Sequence, residues 1–169
     1  MSAKVFVPPA WPTTDDLHEA DNDCLFLAGT IEMGNSPDWQ ADVIEIVKDY
    51  DIIVFNPRRV LPPEGTEDII KQINWELSGL HKSNTVYMHL CANTISPISL
   101  LELGLLQGTQ STTKVIVYCD PEYLRMLNVV TTTNHPLWAN PFIRVFDDYE
   151  KSIISLKKRL DIVTSMQNF

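Results

Sequence analysis

An α/β fold built on a parallel sheet is what this sequence predicts, and three observations predict it. Short, mainly apolar runs recur at Cys24 to Gly29, Asp51 to Phe55, Thr85 to Leu90, Thr113 to Tyr118 and Phe142 to Phe146, the mark of strands covered on both faces. Segments with helical periodicity separate them, and parallel neighbours require such crossovers. The 169 residues suffice for one domain with a substantial core. Right-handed crossovers leave few topologies, and from these we expect a flavodoxin-like (Rossmann-like) three-layer sandwich with five parallel strands in the order 2-1-3-4-5. Ligands of such sheets bind beyond the C-terminal ends of the strands, where the winding reverses, here between the first and third strands.

In chain order, residues 1–23 read as an N-terminal extension and 24–169 as the single domain. Val5-Phe6-Val7 could add an edge strand before Pro8, Pro9 and Pro12 stop it, and the acidic stretch Asp15 to Asp23 reads as solvated surface. After the first strand, Ser36 and Pro37 open a helix expected to run to Lys48. The second strand closes in Asn56-Pro57-Arg58-Arg59, and Val60 to Thr66 is a loop longer than a connection requires. A helix follows over Glu67 to Ser83, with Ile69, Ile73, Leu77 and Leu80 as its apolar face and Glu76 among them. After the third strand, Ser96-Pro97 starts a helix running to about Gln107. Pro121 to Val130 reads as a short helix, and Asp147 to about Thr164 as the closing one.

Composition narrows the partners. A formal charge of -9 and a pI near 4.7 argue against nucleic-acid polymers and anionic membranes, which are bound through lysine and arginine. A small nucleoside- or nucleotide-sized substrate needs only a local cluster of donors. Cys24, Cys91 and Cys119 lie in or beside apolar runs without C-x-x-C spacing, so reduced, buried thiols in a cytoplasmic protein are expected. The four histidines have no metal-ligand spacing, and neither a metal nor another cofactor is indicated. No secretory signal pattern and no bilayer-length apolar run are present.

Glu102 is the most informative single residue. Between Lys82 and Lys114 it is the only formal charge, and it falls inside the apolar stripe of its helix. A carboxylate there is costly unless hydrogen-bonded or needed for chemistry, and both readings stand on spacing alone. Glu76 is a second carboxylate aimed inward. Around the crevice lie Gly29, Thr30 and Ile31 at the end of the first strand, and Asn93, Thr94, Ser96 and Ser99 at the mouth of the Glu102 helix. Free amides and the helix dipole favour an anion at such a mouth. Gly29 to Ser36 imitates a phosphate-binding loop but has Asn35 where the essential lysine would stand, which argues against a nucleotide triphosphatase. Arg58 can hold a phosphate or carboxylate, or pair with one of the many acids. Trp39 and Trp75 either stack on a base or pack.

Three segments carry a resemblance: Phe26-Leu27-Ala28-Gly29-Thr30-Ile31, Trp75-Glu76-Leu77-Ser78-Gly79-Leu80 with Ser83-Asn84, and Ser96 to Gly104 with its Glu102-Leu103-Gly104. In order and spacing they resemble the nucleoside 2-deoxyribosyltransferase superfamily, which includes the 2'-deoxynucleoside 5'-phosphate N-hydrolases. The resemblance implies that Glu102 is a nucleophile and that Glu76, where an aspartate is usual, handles the base and its proton. It further implies that Gly29 to Ile31 line the sugar and base pocket, and that the protein is a homo-oligomer whose neighbour can complete that pocket. Ser96, six residues before the nucleophile, looks like the monophosphate hydrolase branch, where a serine contacts the 5'-phosphate; the transferases tend to carry aspartate there. Cleavage of an N-glycosidic bond, with the sugar passed to water in preference to a second base, is therefore expected. Two other classes fit the same residues: an NAD-cleaving glycohydrolase similar to TIR domains, and a non-catalytic nucleotide-binding module in which Glu102 holds a ribose hydroxyl.

Overall fold

The computed structural model describes residues 2–19, 23–109 and 112–166. Six parallel strands form one sheet: β1 (Lys4–Phe6), β2 (Cys24–Gly29), β3 (Ile53–Phe55), β4 (Thr85–Leu90), β5 (Lys114–Cys119) and β6 (Ile143–Phe146), in the order β1-β3-β2-β4-β5-β6. The expectation of five strands ordered 2-1-3-4-5 is thus corrected by one strand. Lys4–Phe6 pairs in register with Ile53–Phe55, satisfying amides and carbonyls that β3 would otherwise leave open at the sheet's edge. The five expected strands keep their relative order, and the N-terminal segment shares their sheet.

The central strands are apolar on both sides because helices cover both faces. Packed on one face are α3 (Gly65–Lys82), α4 (Pro97–Gly108) and α5 (Met126–Thr133), through Trp75, Leu80, Leu103, Leu106 and Val129 against Phe26, Phe55, Val86, Met88 and Val117. On the other lie α2 (Trp39–Val47) and α6 (Tyr149–Met166), through Trp39, Val43, Leu156 and Leu160 against Leu25, Leu27, Tyr87 and Ile116. Connections leave β2 and β4 toward opposite faces, so the crevice between their C-terminal ends is where a ligand can enter.

Several expected details shift. The first expected helix begins at Trp39, not Pro37, because the Asp38 carboxylate, not Ser36, accepts the free amide of Ala41. A short helix, α1 (Thr14–Glu19), occupies part of the acidic stretch read as surface, while Asp23 is buried beside Asn84, and residues 20–22 lie outside the described residues. On α3 the residues facing the sheet are Trp75, Gly79 and Leu80. Ile69, Ile73 and Leu77, expected to form the apolar face with Leu80, remain exposed together with Ile70. The helix is apolar on two sides, and periodicity alone does not say which side the sheet takes. Gly79 marks it, since a Cβ there would lie 3.0 Å from the Phe26 ring.

Candidate active site

β2 ends in Gly29, whose φ of +133° is open to glycine and strained for other residues. A Cβ there would lie 2.2 Å from the His89 carbonyl oxygen on β4, so the two strand ends approach as closely as glycine permits. Thr30 follows, and its amide donates to that same carbonyl. Its hydroxyl then enters a closed ring of hydrogen bonds. The Cys91 amide donates to Thr30 Oγ1 at 3.0 Å, Thr30 Oγ1 and Ser96 Oγ are 2.6 Å apart, and Ser96 Oγ and Thr94 Oγ1 are 3.1 Å apart. Thr94 closes the ring by donating to the Cys91 carbonyl at 2.9 Å. One proton direction satisfies every member, with Thr30 donating to Ser96 and Ser96 to Thr94. The ring stitches the turn after β2 to the turn after β4.

Ser96 therefore stands at the N-cap of α4 without capping it: its hydroxyl turns to Thr30, and its backbone is left-handed, φ 36°. Asn93 (φ 57°) and Glu32 (φ 48°) share that unusual conformation, so all three positive-φ residues other than glycine among the described residues lie in the turns after β2 and β4. Strain of this kind persists only where surrounding contacts impose it. Asn93 sits exposed at the rim, its amide on the Glu122 carbonyl, and Ile31 is half-buried at the start of the turn after β2.

Ser96, Ser99 and Glu102 succeed one another at three-residue spacing along the buried side of α4. Glu102 is only 9% exposed, and no hydrogen-bond donor among the described residues reaches it. Burial, helped by the charge of nearby Glu76, pushes its carboxyl up to about 8. Glu76 is half-buried on α3 and also raised by burial, but the Gln72 side-chain amide donates to it at 2.8 Å and opposes the rise. Gln72 favours the ionised form of Glu76, and a charge on Glu76 adds to the rise of Glu102.

Arg58 lies beside the crevice with its guanidinium turned away, onto the carbonyls of Gly34, Ser36 and Pro37. Arg59 pairs with Asp68 at 2.9 Å. Trp39 is buried, its indole N–H on the Thr30 carbonyl at 2.8 Å, and Trp75 is buried with its own on the Ala10 carbonyl at 2.7 Å. The three cysteines are buried and unbridged. Among the described residues, no group of three or more His, Cys, Asp or Glu side chains is arranged to hold a metal, and no helix is long and apolar enough to cross a membrane. Sequence reasoning missed Gln72 as the partner of Glu76. Its position four residues earlier on the same helix was the available signal.

The family model described as nucleoside 2-deoxyribosyltransferase like matches residues 23–123, which run from the start of β2 past the turn beyond β5 and include both acids. The chain belongs to the nucleoside 2-deoxyribosyltransferase-like family. A nucleoside 2-deoxyribosyltransferase-like protein acts on small nucleoside-type molecules, and the crevice with its two acids lies within the matched span. No curated protein matches the chain in sequence. β1, α1, α5, β6 and α6, and with them Trp11, lie outside the matched residues.

Proposed function

We propose that this protein cleaves the N-glycosidic bond of a (deoxy)nucleoside or its 5'-monophosphate, with Glu102 as nucleophile and Glu76 as the acid that assists the departing base. The observation that carries this reading is the pair itself: a buried carboxyl without a donor on α4, raised to about 8, beside a second carboxyl that keeps its charge with the help of Gln72. In the free protein the proton of the pair rests on Glu102. When substrate enters, positive charge developing at C1' favours ionised Glu102, and the proton passes by way of Glu76 to a ring nitrogen of the base. The carboxylate forms a bond to C1' as the bond to the base breaks, giving a glycosyl-enzyme. Water then attacks C1', releases the sugar and regenerates Glu102; a second base in its place would make the reaction a transfer. Ser96 in place of the transferases' usual aspartate favours water.

Gly29, Thr30 and Ile31 form the sugar and base side of the pocket on this reading, and Asn93, Ser96 and Ser99 the side toward the 5' end. Arg58 serves through the turn it holds. The chemistry uses carboxyl groups alone and needs no cofactor, and three unbridged cysteines suit a cytoplasmic protein. A second copy of the chain covers α3 and α4, where Ile69, Ile70, Ile73 and Leu77 stand exposed on one helix and Ile98, Leu101 and Leu105 on the other.

The test is chromatography of deoxynucleosides, their 5'-monophosphates, ribonucleotides and NAD after incubation with wild type, Glu102→Gln and Glu76→Gln. Free base from deoxynucleosides or their monophosphates with wild type, absent with Glu102→Gln, supports the reading. Full turnover by Glu102→Gln overturns the covalent role, and release of nicotinamide alone points to an NAD glycohydrolase.

A further inference from the structure

A guanidinium three residues past a strand end, at the ligand edge of an α/β sheet, invites the reading of an anion ligand. The surroundings of Arg58 assign it otherwise. Its side chain is only 14% exposed. One terminal nitrogen donates to the Gly34 carbonyl at 3.1 Å and the Ser36 carbonyl at 2.9 Å. The other is shared among the Pro37 carbonyl at 3.1 Å, Ser36 Oγ at 3.3 Å and Gln40 Oε1 at 3.4 Å. Asp38 lies 3.8 Å from Nε. All four terminal N–H bonds of the guanidinium therefore point at groups of the segment between β2 and α2. Gln40, a fully buried amide, has its oxygen turned to this arginine while its own nitrogen finds no partner.

That segment needs such a clamp. Its internal backbone bonds are confined to a short turn, with Gly34 and Ser36 donating to Ile31 and Asn35 to Glu32. Without the guanidinium, the Gly34 and Ser36 carbonyls lose a donor among the described residues, and the Pro37 carbonyl keeps only the Ser36 hydroxyl at 3.4 Å. Arg58 is itself fixed, its amide donating to Asn56 Oδ1 at 3.0 Å in the Asn-Pro-Arg turn after β3. From Arg58 the connection continues inward. Ser36 Oγ accepts from Arg58 and donates to the Thr30 carbonyl at 3.2 Å, and Thr30 holds Ser96 through the hydroxyl ring. Fixed donors that shape a pocket before substrate arrives reduce the ordering left to binding.

We propose that Arg58 is a positioning residue which, without touching substrate, locks the 31–37 turn so that Gly29, Thr30 and the Thr30–Ser96 hydroxyl pair are pre-formed for the sugar. The inference rests on the N-glycosidase reading for its kinetic consequence but not for its structural one. Lysine cannot replace the arginine, because a single ammonium with three donors cannot span acceptors on Gly34, Ser36, Pro37 and Gln40.

Two measurements test it on the full-length protein. The first is amide hydrogen exchange of wild type, Arg58→Lys and Arg58→Ala. Exchange of the hydrogen-bonded amides of the turn, Gly34, Asn35 and Ser36, should accelerate at least tenfold in both variants while the strands keep their protection. Unchanged exchange in that turn overturns the proposal whatever the protein's activity proves to be. The second is steady-state kinetics with a deoxynucleoside and its 5'-monophosphate. Both variants should raise KM for the two substrates by the same factor, about tenfold or more, with kcat much less affected. Loss confined to the phosphorylated substrate, with the nucleoside untouched, would make Arg58 a phosphate ligand and overturn the proposal. If wild type cleaves neither substrate, the N-glycosidase reading fails on its own, and the exchange result still decides the clamp. Should Arg58→Ala prove unfolded by circular dichroism, Arg58→Lys and Ser36→Ala, which breaks the same connection one step on, carry both measurements.

Discussion

Replacing Glu102 by glutamine should stabilise the protein, and more so as pH rises. In the folded chain burial first, and the Glu76 charge second, lift this carboxyl from its ordinary 4.5 to about 8. An acid raised on folding contributes stability that is whole below its unfolded value and is lost as pH climbs through its folded one, because the unfolded chain releases the proton earlier. The sign is therefore negative across the window from 4.5 to 8. The displacement corresponds to up to about 5 kcal/mol above pH 8, about 3 kcal/mol at pH 7 and about 1 kcal/mol at pH 5. Glutamine resembles the protonated acid in shape and polarity and does not titrate. Urea unfolding of both proteins between pH 5 and 8 reads the difference: the free energies should separate progressively in favour of Glu102→Gln, by a few kcal/mol at pH 8. Parallel pH profiles, or a variant less stable than wild type at pH 8, would refute the claim that Glu102 is held protonated by its surroundings.

Activity should follow a bell in pH, because the proposed step needs one proton on the carboxyl pair. The alkaline limb of kcat/KM should fall near 8, where Glu102 loses its proton, and Glu76→Gln, which removes the acid and the charge that helps raise Glu102, should lower kcat/KM across the whole range. Gly29→Ala should cost at least ~3 kcal/mol in urea unfolding, since its Cβ would lie 2.2 Å from a backbone oxygen and its φ is +133°. Trp11→Ala should cost about 2 kcal/mol, because that ring lies tilted against Phe55 at 4.9 Å and meets Trp75 edge-on at 6.0 Å while remaining 38% exposed. In sedimentation velocity the wild type should run as a dimer or larger, and the double substitution Ile73→Glu, Leu101→Glu should release monomer; a wild-type monomer would sink the second-copy proposal.

What the sequence made legible follows from how each signal arises. Continuous apolar runs mark strands buried on both faces, so the five core strands and their order could be read. The edge strand at Lys4–Phe6 was legible only as an option in Val5-Phe6-Val7 and stayed outside the expected five, because it is three residues long, partly exposed and followed at once by prolines. Glu102 was legible because a lone charge within an apolar helix is conspicuous. The face of α3 was not, because a helix apolar on both sides gives periodicity no direction. Sequence placed Arg58 just past the second expected strand and left its partners open. Those partners are backbone carbonyls, which are present at every position and so leave no mark in the sequence.

The distribution of strain and of unfavourable burial argues for one site and against separate accidents. Glu32, Asn93 and Ser96 hold left-handed backbone without being glycine, Gly29 meets His89 at the limit of contact, and Glu102 is buried without a donor. Each is destabilising by itself, of order 1–3 kcal/mol for a strained backbone alone. Away from these two strand ends and the buried side of α4, the central strands are mainly apolar and the thiols buried, although Asp23 and the Gln40 side chain are buried there too. The Thr30–Ser96–Thr94 ring and the Arg58 bonds tie the strained turns together, and the proposed clamp would make the region stiff although it is locally costly. Stiffness there is useful only if the position of something that enters must be controlled. If the clamp fails to protect residues 31–37 from exchange, the strained turns would be mobile, and this argument for a pre-formed pocket would fail with it.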